Sequence, residues 1–80
     1  MAFALHRWNR ATLLARLEAN EAIDDASSMD PAQAARERLR LLAVGDRFEA
    51  AVISDDEAIA EFRRLRDDAR RIAVGQPVLD

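Results

Sequence analysis

Ser54-Asp55-Asp56-Glu57-Ala58-Ile59-Ala60-Glu61-Phe62-Arg63-Arg64-Leu65-Arg66-Asp67-Asp68-Ala69-Arg70-Arg71-Ile72-Ala73 reads as a single amphipathic helix, and it decides the fold class. Ala58, Phe62, Leu65, Ala69 and Ile72 are spaced four, three, four and three, which gathers them on one side of a helix turning every 3.6 residues. Ile59 and Ala73 widen this stripe. Ser54 and Glu57 have capping-box spacing, in which each side chain satisfies an orphan backbone N–H of the other. Acidic residues open the segment and Arg70 and Arg71 close it, the polarity that the helix dipole favours.

Working outward, the same chemistry marks other helix starts. Asp30-Pro31-Ala32-Gln33 offers an N-cap oxygen, a proline at the first helical position and a glutamine at the third. Asp46-Arg47-Phe48-Glu49 repeats the capping-box spacing just after Gly45, a residue suited to a helix end, and Gly75 stands before Pro77. No alternating β-branched run and no Asn-Gly or Asp-Gly turn is present, while Ala, Leu, Arg and Glu dominate. The expected fold is all-α, a three- to four-helix bundle forming one domain over residues 1–80. Helix 1 is expected over 4–25, or from near Asn9, followed by a loop over 26–29. Helix 2 is expected over 31–44, a short helix 3 over 47–53, helix 4 over 55–74 and an extended tail over 75–80. The cap signals favour a break or kink near Gly45; a single helix through it would cost about 1 kcal/mol relative to alanine.

Eighty residues bury only about 60–65% of the surface of the unfolded chain. A lone core of this size rarely supplies more than ~3–5 kcal/mol without a staple. With no cysteine in the chain, disulfides and thiolate metal sites are excluded, and association is the staple that remains. The twelve basic residues are all arginine, a GC-rich coding bias of bacterial type to which no functional weight attaches. A net charge of −3 argues against a general nucleic-acid binder. No apolar run reaches the ~18–20 residues of a membrane span, and the opening Met1–Trp8 stretch lacks secretion-signal features, so a cytoplasmic location is expected.

Helical placement of the apolar residues carries the functional expectation. Helix 1 has one face of Ala4, Leu5, Trp8, Ala11, Ala15, Ala19, Ala22 and Ile23, and a second of Leu13, Leu14 and Leu17, with Phe3 if the helix reaches it. Helix 2 read through Gly45 also has two faces: Ala34, Leu41, Val44, Phe48 and Val52, and Ala35, Leu39, Leu42 and Ile53. A helix with two apolar stripes needs a neighbour on each side, and leaving a leucine in water forgoes on the order of 1.5–3 kcal/mol. The surplus face is therefore expected to be an interface. If instead helix 1 breaks near Asn9–Thr12, both its segments can pack inward. The alanines of helix 1 (Ala11, Ala15, Ala19, Ala22) let another helix approach closely. Trp8 is expected as a core anchor or an interface hot spot, the core role being the commoner.

Catalytic chemistry finds little purchase. Candidate nucleophiles are Ser27, Ser28, Ser54 and Thr12, His6 is the only imidazole, and no nucleophile elbow exists. Glu18 and Glu21 match one half of a helical carboxylate pair for magnesium, but Glu57 and Glu61 are followed three residues on by Ala60 and Arg64, so the second half fails. Two glycines cannot make a phosphate-cradling loop. No catalytic, metal or cofactor site is expected. For nucleic acid, Arg63, Arg66 and Arg70 align on one helix, but Glu61, Asp67 and Asp68 are interleaved and no aromatic ring is there to stack on bases. A helix–turn–helix centred on Gly45 is disfavoured by Leu41, where a small residue is wanted. The reading is a non-enzymatic protein–protein interaction module: a homodimer, or an accessory subunit, inhibitor or antitoxin-like binder. Leu13, Leu14, Leu17 and Trp8 would contact the partner, with Arg63, Arg66 and Arg70 as its rim. The alternative is a small dimeric DNA-binding regulator using Arg-bearing helices. Val78 and Leu79 in the tail could also dock on a partner, although frayed termini are the commoner case.

Overall fold

A computed structural model describes residues 8–26 and 29–73 and places them in three helices, α1 (Arg10–Asp25), α2 (Pro31–Glu49) and α3 (Asp55–Ala73). His6, Ser27, Ser28, the part of helix 1 expected before Trp8 and the tail expected over 75–80 lie outside the described residues.

The helix starts follow side-chain chemistry. Asn9 caps α1, its Oδ1 accepting from the Thr12 backbone N–H at 2.9 Å and from the Thr12 hydroxyl at 3.0 Å. Asp30 caps α2 by accepting from the Gln33 N–H at 2.9 Å, with Pro31 in the first turn. Ahead of α3 the capping box closes in both directions: the Ser54 N–H donates to Glu57 Oε1 at 2.8 Å and the Glu57 N–H donates to Ser54 Oγ at 3.1 Å. Helix 1 thus starts at Asn9, the later of its two expected positions.

The break expected near Gly45 does not occur. Residues 31–49 form one α-helix, and no separate helix covers 47–53. The reason is tertiary. Leu41, Val44 and Phe48 hold one apolar row across Gly45, and all three are buried, so ending the helix there would lift Phe48 out of the core. Gly45 itself is buried beneath Arg16 of α1 and Trp8; a Cβ there would sit 3.4 Å from an Arg16 guanidinium nitrogen and 3.8 Å from the Trp8 ring. Glu49, expected to complete a capping box with Asp46, instead accepts from Trp8 Nε1 at 3.0 Å. The helix ends beyond it in a Schellman motif. The Val52 N–H bonds to the Arg47 carbonyl at 2.9 Å, the Ala51 N–H bonds to the Phe48 carbonyl at 3.0 Å, and Ala51 takes the left-handed conformation at φ 61°. This turn leaves Val52 exposed and Ile53 partly buried against the core.

The arrangement is up-down-up. Asn9 Nδ2 donates to Asp55 at 2.9 Å, joining the starts of α1 and α3, while Trp8 meets the end of α2. At the other end Arg38 reaches Asp24 at 2.8 Å. α1 and α3 therefore run parallel, with α2 antiparallel to both, and the most extensive helix–helix contact is between α1 and α3. Alanines line that contact: Ala15, Ala19 and Ala22 of α1 and Ala58 and Ala69 of α3 are buried, which lets the backbones approach closely. Ala11, expected on the same face, is exposed, because the buried face is centred on Thr12, Ala15, Ala19 and Ile23 and the helical period leaves Ala11 at its edge. Phe48, Phe62 and Leu65 are fully buried, and Trp8 packs edge-on to Phe48 at 4.7 Å and against Phe62 at 6.1 Å between ring centroids.

Candidate functional site

α1 buries Thr12, Ala15, Ala19, Ala22 and Ile23, so the opposite side of the helix faces outward. Leu13, Leu14 and Leu17 stand on that side, 40%, 53% and 56% exposed. α2 repeats the pattern, with Leu41, Val44 and Phe48 inside and Leu39 and Leu42 exposed. Leu17 and Leu42 share one flank. The Arg38–Asp24 ion pair spans α1 and α2, and Leu17 lies two turns from Asp24 along the same row of α1, while Leu42 lies one turn from Arg38 along α2. Because the helices are antiparallel, both steps run in the same direction along the molecule.

The other expected contact residues divide. Trp8 is buried and belongs to the core, with the Arg16 guanidinium carbon 5.1 Å from its ring centroid in a cation–π contact. Arg66 bonds Asp67 at 3.0 Å and Glu18 at 3.4 Å, bridging α3 to α1. Its donation to Asp67 and the nearby Glu18 charge hold its pKa above the ordinary guanidinium value. Since Glu18 is one turn from Leu14 on α1, Arg66 reaches the edge of the leucine face. Arg63 and Arg70 are exposed and make no ion pair among the described residues.

Two further features concern the charged residues, of which the first was not singled out by sequence reasoning, while the second follows from the arginines in the first half of helix 1 and the acidic cluster over Glu18–Asp30. Glu37 is buried on α2, where both of its oxygens accept from Arg40 Nη1 at 3.0 and 3.1 Å; Arg40 lies 3.7 Å from Asp68 of α3. The second is the polarity of α1, which has no acidic residue in its first turn and no basic residue in its last. Arg10 opens it and Asp24 and Asp25 close it, the reverse of α3.

Thr12 is fully buried and its hydroxyl is committed to Asn9, while Ser54 is committed to the α3 cap. Glu18, half of the candidate carboxylate pair, faces Arg66. Among the described residues no group of His, Asp and Glu is placed to hold a metal ion, and no helix is long and apolar enough to cross a membrane. Comparison with protein-family models, curated proteins and solved structures finds no match to this chain.

Proposed function

We propose that this chain is a non-enzymatic helical interaction module that lays the outer face of α1, widened by Leu39 and Leu42 of α2, against a matching helix face of a protein partner. The observation that carries this reading is the exposure of Leu13, Leu14 and Leu17 on a helix whose opposite side is already occupied by the core. An outward leucine contributes little to a lone chain, whereas covering the half of each that is still exposed recovers about 1 kcal/mol per side chain, a sizeable sum over three leucines beside the ~3–5 kcal/mol margin of so small a core. Arg66 and Glu18 supply a charged edge to this face.

Leu14→Arg combined with Leu17→Arg tests the reading by sedimentation and far-UV circular dichroism on the same samples. Association is expected to fall while helix content is retained. Equal loss of both would make the two leucines ordinary core and end the proposal. For the DNA-binding alternative, Arg63 and Arg70 are exposed and unpaired among the described residues, but Arg66 is engaged by Glu18 and Asp67, and the carboxylates of Glu61, Asp67 and Asp68 interleaved with these arginines oppose the approach of phosphate. A mobility-shift assay at low salt is expected to show no complex.

A further inference from the structure

On the outer side of α1, Arg10, Leu14, Leu17, Glu21 and Asp24 are spaced four, three, four and three. That is the spacing of a coiled-coil seam, here with an apolar centre, a cation at its beginning and anions at its end. Arg10 and Glu21 are both exposed, and among the described residues neither forms an ion pair within the chain. The seam has a property that a partner of arbitrary sequence would not require. Arg10 precedes Leu14 by as many residues as Glu21 follows Leu17. A two-fold axis between Leu14 and Leu17 therefore exchanges the two leucines and sets Arg10 of one copy beside Glu21 of the other, twice.

We infer that the partner is a second copy of this chain, joined by antiparallel packing of α1 on α1 about that axis, with Leu14 against Leu17 and an Arg10–Glu21 ion pair at each end. This rests on the interaction-module reading of the preceding subsection. The interface is isologous, so one patch serves both sides and the assembly closes as a dimer. The axis keeps the α2 flanks of both copies on one side of the seam, where Leu13 and Leu42 extend the apolar strip. A parallel pairing of the same faces would set Arg10 against Arg10, Glu21 against Glu21 and Asp24 against Asp24, so the charges select the antiparallel arrangement.

The reversed polarity of α1 supports this independently. Within one chain, a cation at the helix start and anions at its end oppose the helix dipole, and α3 shows the opposite, favourable order. Alongside an antiparallel copy, Arg10 and Glu21 each meet a counter-charge and the oppositely directed dipole of the other α1, while Asp24 is already engaged by Arg38 of its own chain. A local rule broken on the exposed side of one helix is thus satisfied by the dimer.

Charge exchange in the full-length chain tests the register. Arg10→Glu and Glu21→Arg each place like charges at both ends of the seam, and each alone is expected to weaken self-association about tenfold in sedimentation equilibrium. Helix content should not fall, because both changes suit the dipole of the isolated helix. Mixing the two variants is expected to restore association to within about threefold of the unmodified chain, as a heterodimer. One copy then carries a carboxylate at both ends of its seam and the other a guanidinium at both, so opposite charges meet again at each end. The effects should shrink as salt rises. Association that is unchanged in the single variants, or not restored on mixing, overturns this register while leaving the interaction reading in place. An unmodified chain that stays monomeric up to millimolar concentration overturns the second-copy inference, and the leucine variants then still report on the interaction reading through their helix content.

Discussion

Gly45→Ala separates a continuous α2 from a broken one by the sign of its effect. Gly45 lies inside a helix that runs to Glu49, and the space a Cβ would enter is bounded by an Arg16 guanidinium nitrogen at 3.4 Å and the Trp8 ring at 3.8 Å. Those are ordinary contact distances, and the nearer atom is the tip of a flexible side chain. Replacing an interior helical glycine by alanine stabilises by about 0.8–1.0 kcal/mol, and the added methyl group exchanges water for contact with Trp8 and Arg16. The expected net gain is about 1 kcal/mol, which raises the melting temperature of a domain this small by about 4–8 °C. Were Gly45 instead a left-handed residue ending one helix before another, the same change would cost about 1–2 kcal/mol and lower the melting temperature. Thermal and urea unfolding followed by far-UV circular dichroism reads the sign, at protein concentrations low enough that association does not add to stability. A melting temperature below that of the unmodified chain would refute the account of Gly45 as a packing residue within an unbroken helix.

Ala51→Gly relieves a non-glycine residue held at φ 61° in the Schellman turn, and the relief of about 1–2 kcal/mol exceeds the added entropy of the unfolded chain, about 0.4–1 kcal/mol. Chemical denaturation should therefore show a modest gain in stability, and a loss would mean that Ala51 is not strained. Phe62→Ala removes a fully buried ring that packs against Trp8, a change that costs about 3–5 kcal/mol in a core and is comparable to the whole stability of a chain this small. Its far-UV spectrum at 25 °C should be that of a largely unfolded chain, and retention of native helix content would show that the core does not depend on this ring.

The elements whose boundaries are set by neighbours in sequence were legible from it. α3 is the clearest case, because its cap, its seam and its dipole charges all lie within the helix and agree with one another. The start of α2 was readable for the same reason, through Asp30, Pro31 and Gln33. The region around Gly45 was not. Its Asp-x-x-Glu spacing has the form of a capping box, but Glu49 is drawn away by Trp8 and the glycine answers to Trp8 and Arg16, contacts with residues far away in sequence that no local spacing encodes. The signal that pointed the right way was the unbroken Leu41, Val44, Phe48 row. For the candidate site, the outward placement of Leu13, Leu14 and Leu17 followed from the helical period alone. The inward placement of Trp8 matches the commoner of the roles weighed for it. Arg66 was expected at a rim beside solvent, yet it also ties α3 to α1, because Glu18 comes within reach only once those helices run parallel.

The two ends of the bundle are held together very differently. At one, Trp8 spans α2 and α3 through Phe48, Phe62 and Glu49, and Asn9 fastens the beginnings of α1 and α3 together through Asp55. At the other, aliphatic side chains alone, Ile23, Ala26 and Met29, close the core, with a solvent-exposed ion pair between Arg38 and Asp24. The start of α1 is thus held by an indole clamp that its last turns lack, so amide hydrogens should exchange progressively more slowly from the C-terminal turns of α1 back towards Thr12.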